Sequence, residues 1–378
     1  MMQIQFNPLG RQSCSAVLMA GLVTLLNACG GGNADDHARV KKCLDSGATI
    51  SNCLKSTPSV TPTPSPTITP TPPPGLTLSA MPSQKFIQIA PNIKLEVLDF
   101  GGSGDVILLL AGAGNTAHVF DGFAQGLTAK NRVFALTRRG YGGSSQPATG
   151  YDTATLTEDI RSALDQLGIQ RVHLIGHSIA GDEISRFAGK YPERVNRLVY
   201  LDAAYDRIAF NAALSSFTLP SPPELTIGDL SSLDGLRQYT HRIRGVAIPK
   251  AEIEAAIRLN SDGSVANAVT PDEIAAQHLA GIETPNYSLV KARALGIFAD
   301  AQNPSDIVPW LTPASPEWAA NSTFFTQVYR PYLLQQQNKF KTELIGSSSL
   351  NIAGANHYLF ISHAKQVTAA IAQFLAAP

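Results

Sequence analysis

Cysteine is missing from most of this chain. The four that occur are Cys14, Cys29, Cys43 and Cys53, and none follows between Leu54 and Pro378. The main body therefore has neither a thiol nucleophile nor the thiolates of a zinc site. Surplus charge is missing too, since 29 basic residues balance 29 acidic ones. A nucleic-acid binder needs excess Lys and Arg to neutralise phosphates, so that class is set aside. Only 15% of residues are charged against 44% hydrophobic. That balance excludes a disordered chain and fits a globular body with a sizeable core. No internal repeat is visible.

No charge occurs between Arg11 and Asp35, and inside that gap Ala16 to Ala28 forms an apolar run. Its length falls short of the roughly 20 residues of a membrane-spanning helix. A basic residue, a short apolar stretch and then small residues make the pattern of a secretory signal, expected over residues 1–28. The run ends in Leu26-Asn27-Ala28-Cys29-Gly30, which resembles the lipobox of bacterial lipoproteins. The resemblance implies that Cys29 is lipidated and becomes the new N-terminus. The protein is then expected in the cell envelope, periplasmic or surface-displayed, with a membrane as partner through its anchor. In an exported chain Cys43 and Cys53, within the 29–56 segment, are expected to pair. Such a short loop is worth about 2–3 kcal/mol and organises only that segment. Thr57 to Gly75 holds eight prolines among Thr and Ser. Proline fixes φ and removes the amide donor, so residues 57–79 read as an extended polyproline II spacer.

Residues 80–378 remain as one domain. Lys94 to Phe100 alternates and reads as a strand polar on one face. Val106 to Leu110, Val133 to Leu136, Val172 to Ile175 and Leu198 to Leu201 are short apolar runs, as strands buried on both faces should be. Between them Thr155 to Leu167 carries a helical stripe of Leu156, Ile160, Ala163, Leu164 and Leu167. Thr155 with Glu158 reads as a capping box, and Gly168 as the left-handed residue that follows. Strands alternating with helices imply an α/β fold with a mostly parallel sheet. The alternation stops at about 203–292, where helices are expected at Lys250 to Leu259 and Pro271 to Ala280, the latter with Thr270 as N-cap and Pro271 at N1. Sheet character returns at Leu295 to Phe298. About 90 mostly helical residues inserted into a sheet domain read as a cap.

The informative segment is Val172-His173-Leu174-Ile175-Gly176-His177-Ser178-Ile179-Ala180-Gly181. A buried strand runs into Ser178 and a helix follows, so the serine sits on a sharp strand-to-helix turn that demands small neighbours. Ala180 stands where the G-x-S-x-G signature has its last glycine. Here the chain resembles the α/β-hydrolase family, in particular its members with a helical cap, over roughly Leu95 to Leu375. The resemblance extends to Leu110-Ala111-Gly112-Ala113-Gly114, to Arg138-Arg139-Gly140-Tyr141-Gly142-Gly143-Ser144, and to Gly354-Ala355-Asn356-His357-Tyr358. It implies an α/β-hydrolase fold with helices on both faces of the sheet and a cap insertion.

A serine hydroxyl attacks only when a base takes its proton, and histidine suits that task at neutral pH. His357, late in the chain in a Gly-rich loop, is the expected base, and the order Ser, acid, His fits this fold. His177, beside the serine, is expected to pack or hydrogen-bond locally. The backbone amides of Ile179 and Ala113 are the expected oxyanion donors. The acid stays open among three residues. Asp202 follows the strand Leu198 to Leu201, whereas Asp300 and Asp306 follow the strand ending near Phe298. The implied activity is hydrolysis of a small-molecule carboxylic ester through an acyl-enzyme, with no metal or organic cofactor and the cap supplying the acyl pocket. C–C bond hydrolases, lactonases and aminopeptidases use similar parts. A non-catalytic binding protein on the same scaffold is the reading from another class.

Overall fold

The computed structural model describes residues 82–214 and 220–377. The expected leader, Cys29, the Cys43–Cys53 pair and the 57–79 spacer all lie outside the described residues. Among the described residues no helix is long and apolar enough to cross a membrane.

The centre is an eight-stranded sheet in the order β1-β2-β4-β3-β5-β6-β9-β10. Its strands are β1 (Ser83–Ala90), β2 (Ile93–Gly101), β3 (Asp105–Leu110), β4 (Asn131–Leu136), β5 (Val172–His177), β6 (Val195–Leu201), β9 (Arg293–Asp300) and β10 (Ser348–Ala353). β1 and β2 enter antiparallel, and every later pairing is parallel. In β3 the side chains alternate between the two faces, as a doubly covered strand requires. Leu108 and Leu110 join one core with Ile160, Ile184 and Phe187. Ile107 and Leu109 join the other with Phe120, Phe360 and Ile371.

β2 does not present a polar face to solvent as expected, because its acidic side chains are buried, Glu96 at 1% exposure and Asp99 at 7%. Strand β1 covers that edge, and Asp99 is paired with Lys85 at 2.9 Å and Arg132 at 2.5 Å. Helix α1 (Thr153–Gln166) starts two residues before the expected Thr155. The cap is Asp152, whose Oδ1 accepts from the Thr155 amide at 2.9 Å, while Glu158 turns away to Lys190 and Tyr191. The predicted Thr155–Glu158 box is therefore replaced by an Asp152 cap, because Asp accepts at the N-terminus at least as well as Thr. Gly168 does sit left-handed beyond the helix, at φ +69°. Helix α2 (Ala180–Lys190) follows β5 directly.

Between β6 and β9 lie helices α3 (Arg207–Leu214), α4 (Leu233–Arg244), α5 (Lys250–Ala256) and α6 (Asp272–Ala280). The helix expected to reach Leu259 stops at Ala256. Ile257–Leu259 forms β7, paired with β8 (Val265–Ala268) in a hairpin turned at Gly263, φ +83°. Pro271 occupies the N-cap of α6 rather than N1. Thr270 does not cap it, since its hydroxyl donates to Gly140 O at 2.8 Å and staples the insertion to the sheet domain. A second insertion follows β9 and was not foreseen. It carries α7 (Trp318–Phe324), a π-helical turn (Phe325–Tyr329) and α8 (Arg330–Glu343) before β10. Helix α9 (Ala364–Ala376) closes the described chain.

Candidate active site

Strand β5 is fully buried and delivers Ser178 immediately past its C-terminal end. Ser178 adopts φ +54°, a left-handed conformation that a non-glycine residue holds only when its surroundings enforce it. The surroundings are tight. A Cβ on Gly176 would lie 3.0 Å from Ala180 O, and one on Gly181 would lie 2.0 Å from Ala203 O. Gly181 lets α2 press against the chain leaving β6, while Ala180 fits with its methyl fully buried.

His357 follows β10 in the loop after Gly354, which is itself left-handed at φ +68°. Its Nε2 lies 3.0 Å from Ser178 Oγ, and its Nδ1 lies 2.6 Å from Asp202 Oδ2. Asp202 Oδ1 accepts from the Tyr205 hydroxyl at 2.5 Å and the Ala299 amide at 3.1 Å. With one oxygen fixed by two donors, the other is aimed at the imidazole. A carboxylate there keeps the ring proton on Nδ1, leaving the Nε2 lone pair for the serine hydroxyl.

The two other candidate acids stand elsewhere. Asp306 turns back to the Gln302 amide at 2.6 Å and the Asn303 amide at 3.2 Å, capping a 3₁₀ turn. Asp300 faces Arg330 at 3.2 Å. The structure thus groups Ser178, His357 and Asp202 and leaves Asp300 and Asp306 in structural roles.

Ile179 and Ala113 line one cavity with Ser178 and His357. Residues 111–112 lead into Ala113 and are pinned from below. The Arg138 guanidinium donates to Gly112 O at 3.2 Å and to Ala111 O, and its Nε pairs with Glu183 Oε1 at 2.6 Å. Burial raises the Glu183 carboxyl, and the Arg138 charge opposes that rise.

His177 was expected to act locally, yet its partners are remote in sequence. Its Nε2 donates to His357 O at 3.1 Å, and its ring sits 4.7 Å from the His357 ring and 4.9 Å from Phe360. Burial holds it neutral, with the neighbouring His357 adding to the shift.

The site also contains a clamp that sequence reasoning missed. Glu252 of α5 accepts from Asn115 Nδ2 at 2.9 Å, from the Thr116 amide at 2.9 Å and from the Thr116 hydroxyl at 2.5 Å. Tyr358, next to His357, donates its hydroxyl to Asn115 Oδ1 at 3.1 Å. Burial pushes the Glu252 carboxyl up to about 7 against the pull of those donors. No single residue in this clamp carries a sequence motif. The second insertion was more legible, because Phe324, Phe325, Val328, Tyr329, Tyr332 and Leu333 repeat at helical spacing.

A left-handed serine between a buried strand and a helix, met by a histidine and an acid from later strand ends, sits on a sheet with the α/β-hydrolase fold. A family model described as the alpha/beta hydrolase fold matches residues 105–232. An uncharacterised protein of Mycobacterium bovis is 34% identical over 102 residues, 27% of this chain and 30% of that protein. The match thus spans under a third of that relative's length. Among solved structures, E-2-(acetamidomethylene)succinate hydrolase superposes with a TM-score of 0.58 at 20% identity, covering 78% of this chain and all of that one. The carboxylesterase CesB of Bacillus subtilis gives 0.52 at 16% identity over 78% of this chain and 92% of its own.

Proposed function

We propose that this protein is a serine hydrolase that cleaves carboxylic esters through an acyl-enzyme. The observation that carries the reading is the continuous relay from Asp202 through His357 to Ser178 at the wall of an apolar cavity. In it, His357 Nε2 takes the Ser178 proton as Oγ attacks the ester carbonyl carbon. The Asp202 carboxylate stabilises the resulting imidazolium. The amides of Ile179 and Ala113 receive the charge on the former carbonyl oxygen, each donor being worth about 3–4 kcal/mol in the transition state. The bond to the leaving alcohol breaks as His357 returns the proton to it. Water then repeats the sequence on the acyl-enzyme, releasing the acid and restoring Ser178.

A hydrolase of acetamidomethylenesuccinate and a carboxylesterase share the fold, and fold alone does not choose the scissile bond. Incubation with a fluorophosphonate and mass spectrometry of the adduct tests the nucleophile. Labelling at Ser178 that vanishes in His357→Ala supports the reading. An unlabelled wild-type protein returns the scaffold to a binding role.

The same proposal includes export and anchoring through Cys29, supported by the apolar run and the lipobox-like Leu26-Asn27-Ala28-Cys29. Cells fed an alkyne fatty acid should label the protein, and Cys29→Ser should abolish the label.

A further inference from the structure

His357 lines two cavities. One of them is lined also by Ser178, Ile179 and Ala113, so it receives the carbonyl being attacked. The other is lined by His357 and Asp202, as the first is, but not by Ser178. Its walls are Phe210 and Ile243 from the first insertion and Val308, Trp310, Phe324 and Tyr329 from the second. Phe210 and Tyr329 also line both spaces, so the two cavities adjoin. The aromatic walls support one another, with Phe210 6.0 Å from Tyr329 and Phe324 6.4 Å from Tyr329.

Resting on the serine-hydrolase reading above, we propose that this second cavity is the leaving-group pocket and that it takes a bulky flat apolar alcohol. The chemistry of the relay assigns the role. His357 must hand its proton to the departing oxygen, so the departing group lies along the imidazole, while the acyl carbon stays with Ser178 and the oxyanion donors. The lining assigns the class. Aromatic rings bury large apolar area and prefer tilted or edge contacts with another ring, so a flat ring gains most there. The polar groups of the cavity, Arg244, Asn356 and Asp306, also line it. Asn356 is held by Arg244 O at 2.8 Å, Asp306 by its own turn, and the Arg244 guanidinium lies 5.8 Å from the Tyr358 ring, so the aromatic walls supply most of the contact surface. A small alcohol leaves that surface uncovered and forfeits its contribution to transition-state binding.

The test is a series of acetate esters on the full-length protein: ethyl, benzyl and 2-naphthylmethyl acetate, whose alcohols are similar leaving groups. Turnover per KM should rise along the series, by at least tenfold from ethyl to 2-naphthylmethyl, and 2-naphthylmethanol should inhibit competitively. Trp310→Ala should reduce the ratio to below threefold. Should that variant fail to fold, the series and the inhibition by the alcohol decide on the wild type alone. Fluorophosphonate labelling at Ser178 together with a flat alcohol series overturns the pocket assignment and leaves the hydrolase reading standing. Absent labelling removes the hydrolase reading itself, and the pocket assignment falls with it.

Discussion

Ser178 and Asp202 repeat one backbone device on neighbouring strands. Each is the first residue beyond a parallel strand, β5 and β6, and each is left-handed, at φ +54° and +46°. Each also extends the sheet ladder by one amide, Ser178 N to Leu201 O at 3.2 Å and Asp202 N to Ile297 O at 2.7 Å. The strain of a left-handed non-glycine residue, of order 1–3 kcal/mol, is held in place by the paired sheet beneath it. Its effect is to lift two side chains off adjacent strand ends toward the same imidazole.

Asp202→Asn should therefore be the most informative single change in the relay. The amide keeps the shape but loses the charge that fixes the His357 tautomer, and turnover of a p-nitrophenyl ester should drop by at least ~100-fold. Asp306→Asn, whose carboxylate is bonded by the amides of its own turn and not to His357, should stay within about threefold. A reversal of these two results would transfer the acid to Asp306.

The strand ends themselves were readable as apolar runs, and the serine turn as a tight motif of small residues. What determines the acid is not local. Asp202 and Asp306 both stand near a strand end, and the choice depends on Tyr205 and Ala299 holding one oxygen of Asp202 while backbone amides capture Asp306. The cap was legible as a break in alternation, but its boundaries were not. Thr155 lost its capping role to Asp152, an equally good cap three residues earlier, and Thr270 lost its own to a bond with Gly140 from outside the local window. The Glu252 clamp joins residues 136 apart in sequence, which no periodicity reports.

Glu252 gives a stability signal with a defined sign. Its folded value of about 7 lies above the ordinary 4.5, so its stabilising contribution is complete below about 4.5 and is lost as pH rises through about 7. Glu252→Gln has no such titration. Between pH 5 and pH 8 the wild type should lose thermal stability relative to the Gln variant, read as a change in their Tm difference. A difference that is the same at both pH values would show that Glu252 does not titrate in this window.

Gly181→Ala and Ala180→Gly should behave oppositely despite being adjacent. The methyl added at 181 would lie 2.0 Å from Ala203 O, a backbone atom that cannot rotate away. Overpacking of this kind typically costs about 1–3 kcal/mol and shifts backbone. Here the backbone that moves carries Ser178 on one side and Asp202 on the other, so kcat should drop by more than about tenfold along with Tm. Ala180→Gly removes only a buried methyl and adds helix entropy, which costs roughly 1 kcal/mol, and its kcat should remain within about threefold. Differential scanning fluorimetry and ester turnover on both variants check this.

The buried Arg138–Glu183 pair separates stability from catalysis. Both side chains are nearly inaccessible, at 4% and 2%. Arg138→Met strands the Glu183 carboxylate in the core and should destabilise by about 3–5 kcal/mol, whereas the double variant Arg138→Met with Glu183→Leu removes both charges and should recover most of that loss. Catalysis should not recover with it. Arg138 is also a hydrogen-bond donor to the carbonyls of Ala111 and Gly112, which lead into Ala113, and a methionine restores neither bond. The double variant should thus melt near the wild type while its kcat stays lowered by about tenfold or more, with KM less affected. Full recovery of kcat alongside Tm would show that the guanidinium serves only the fold, and that the loop carrying the oxyanion donor is set by Glu252 and Asn115 alone.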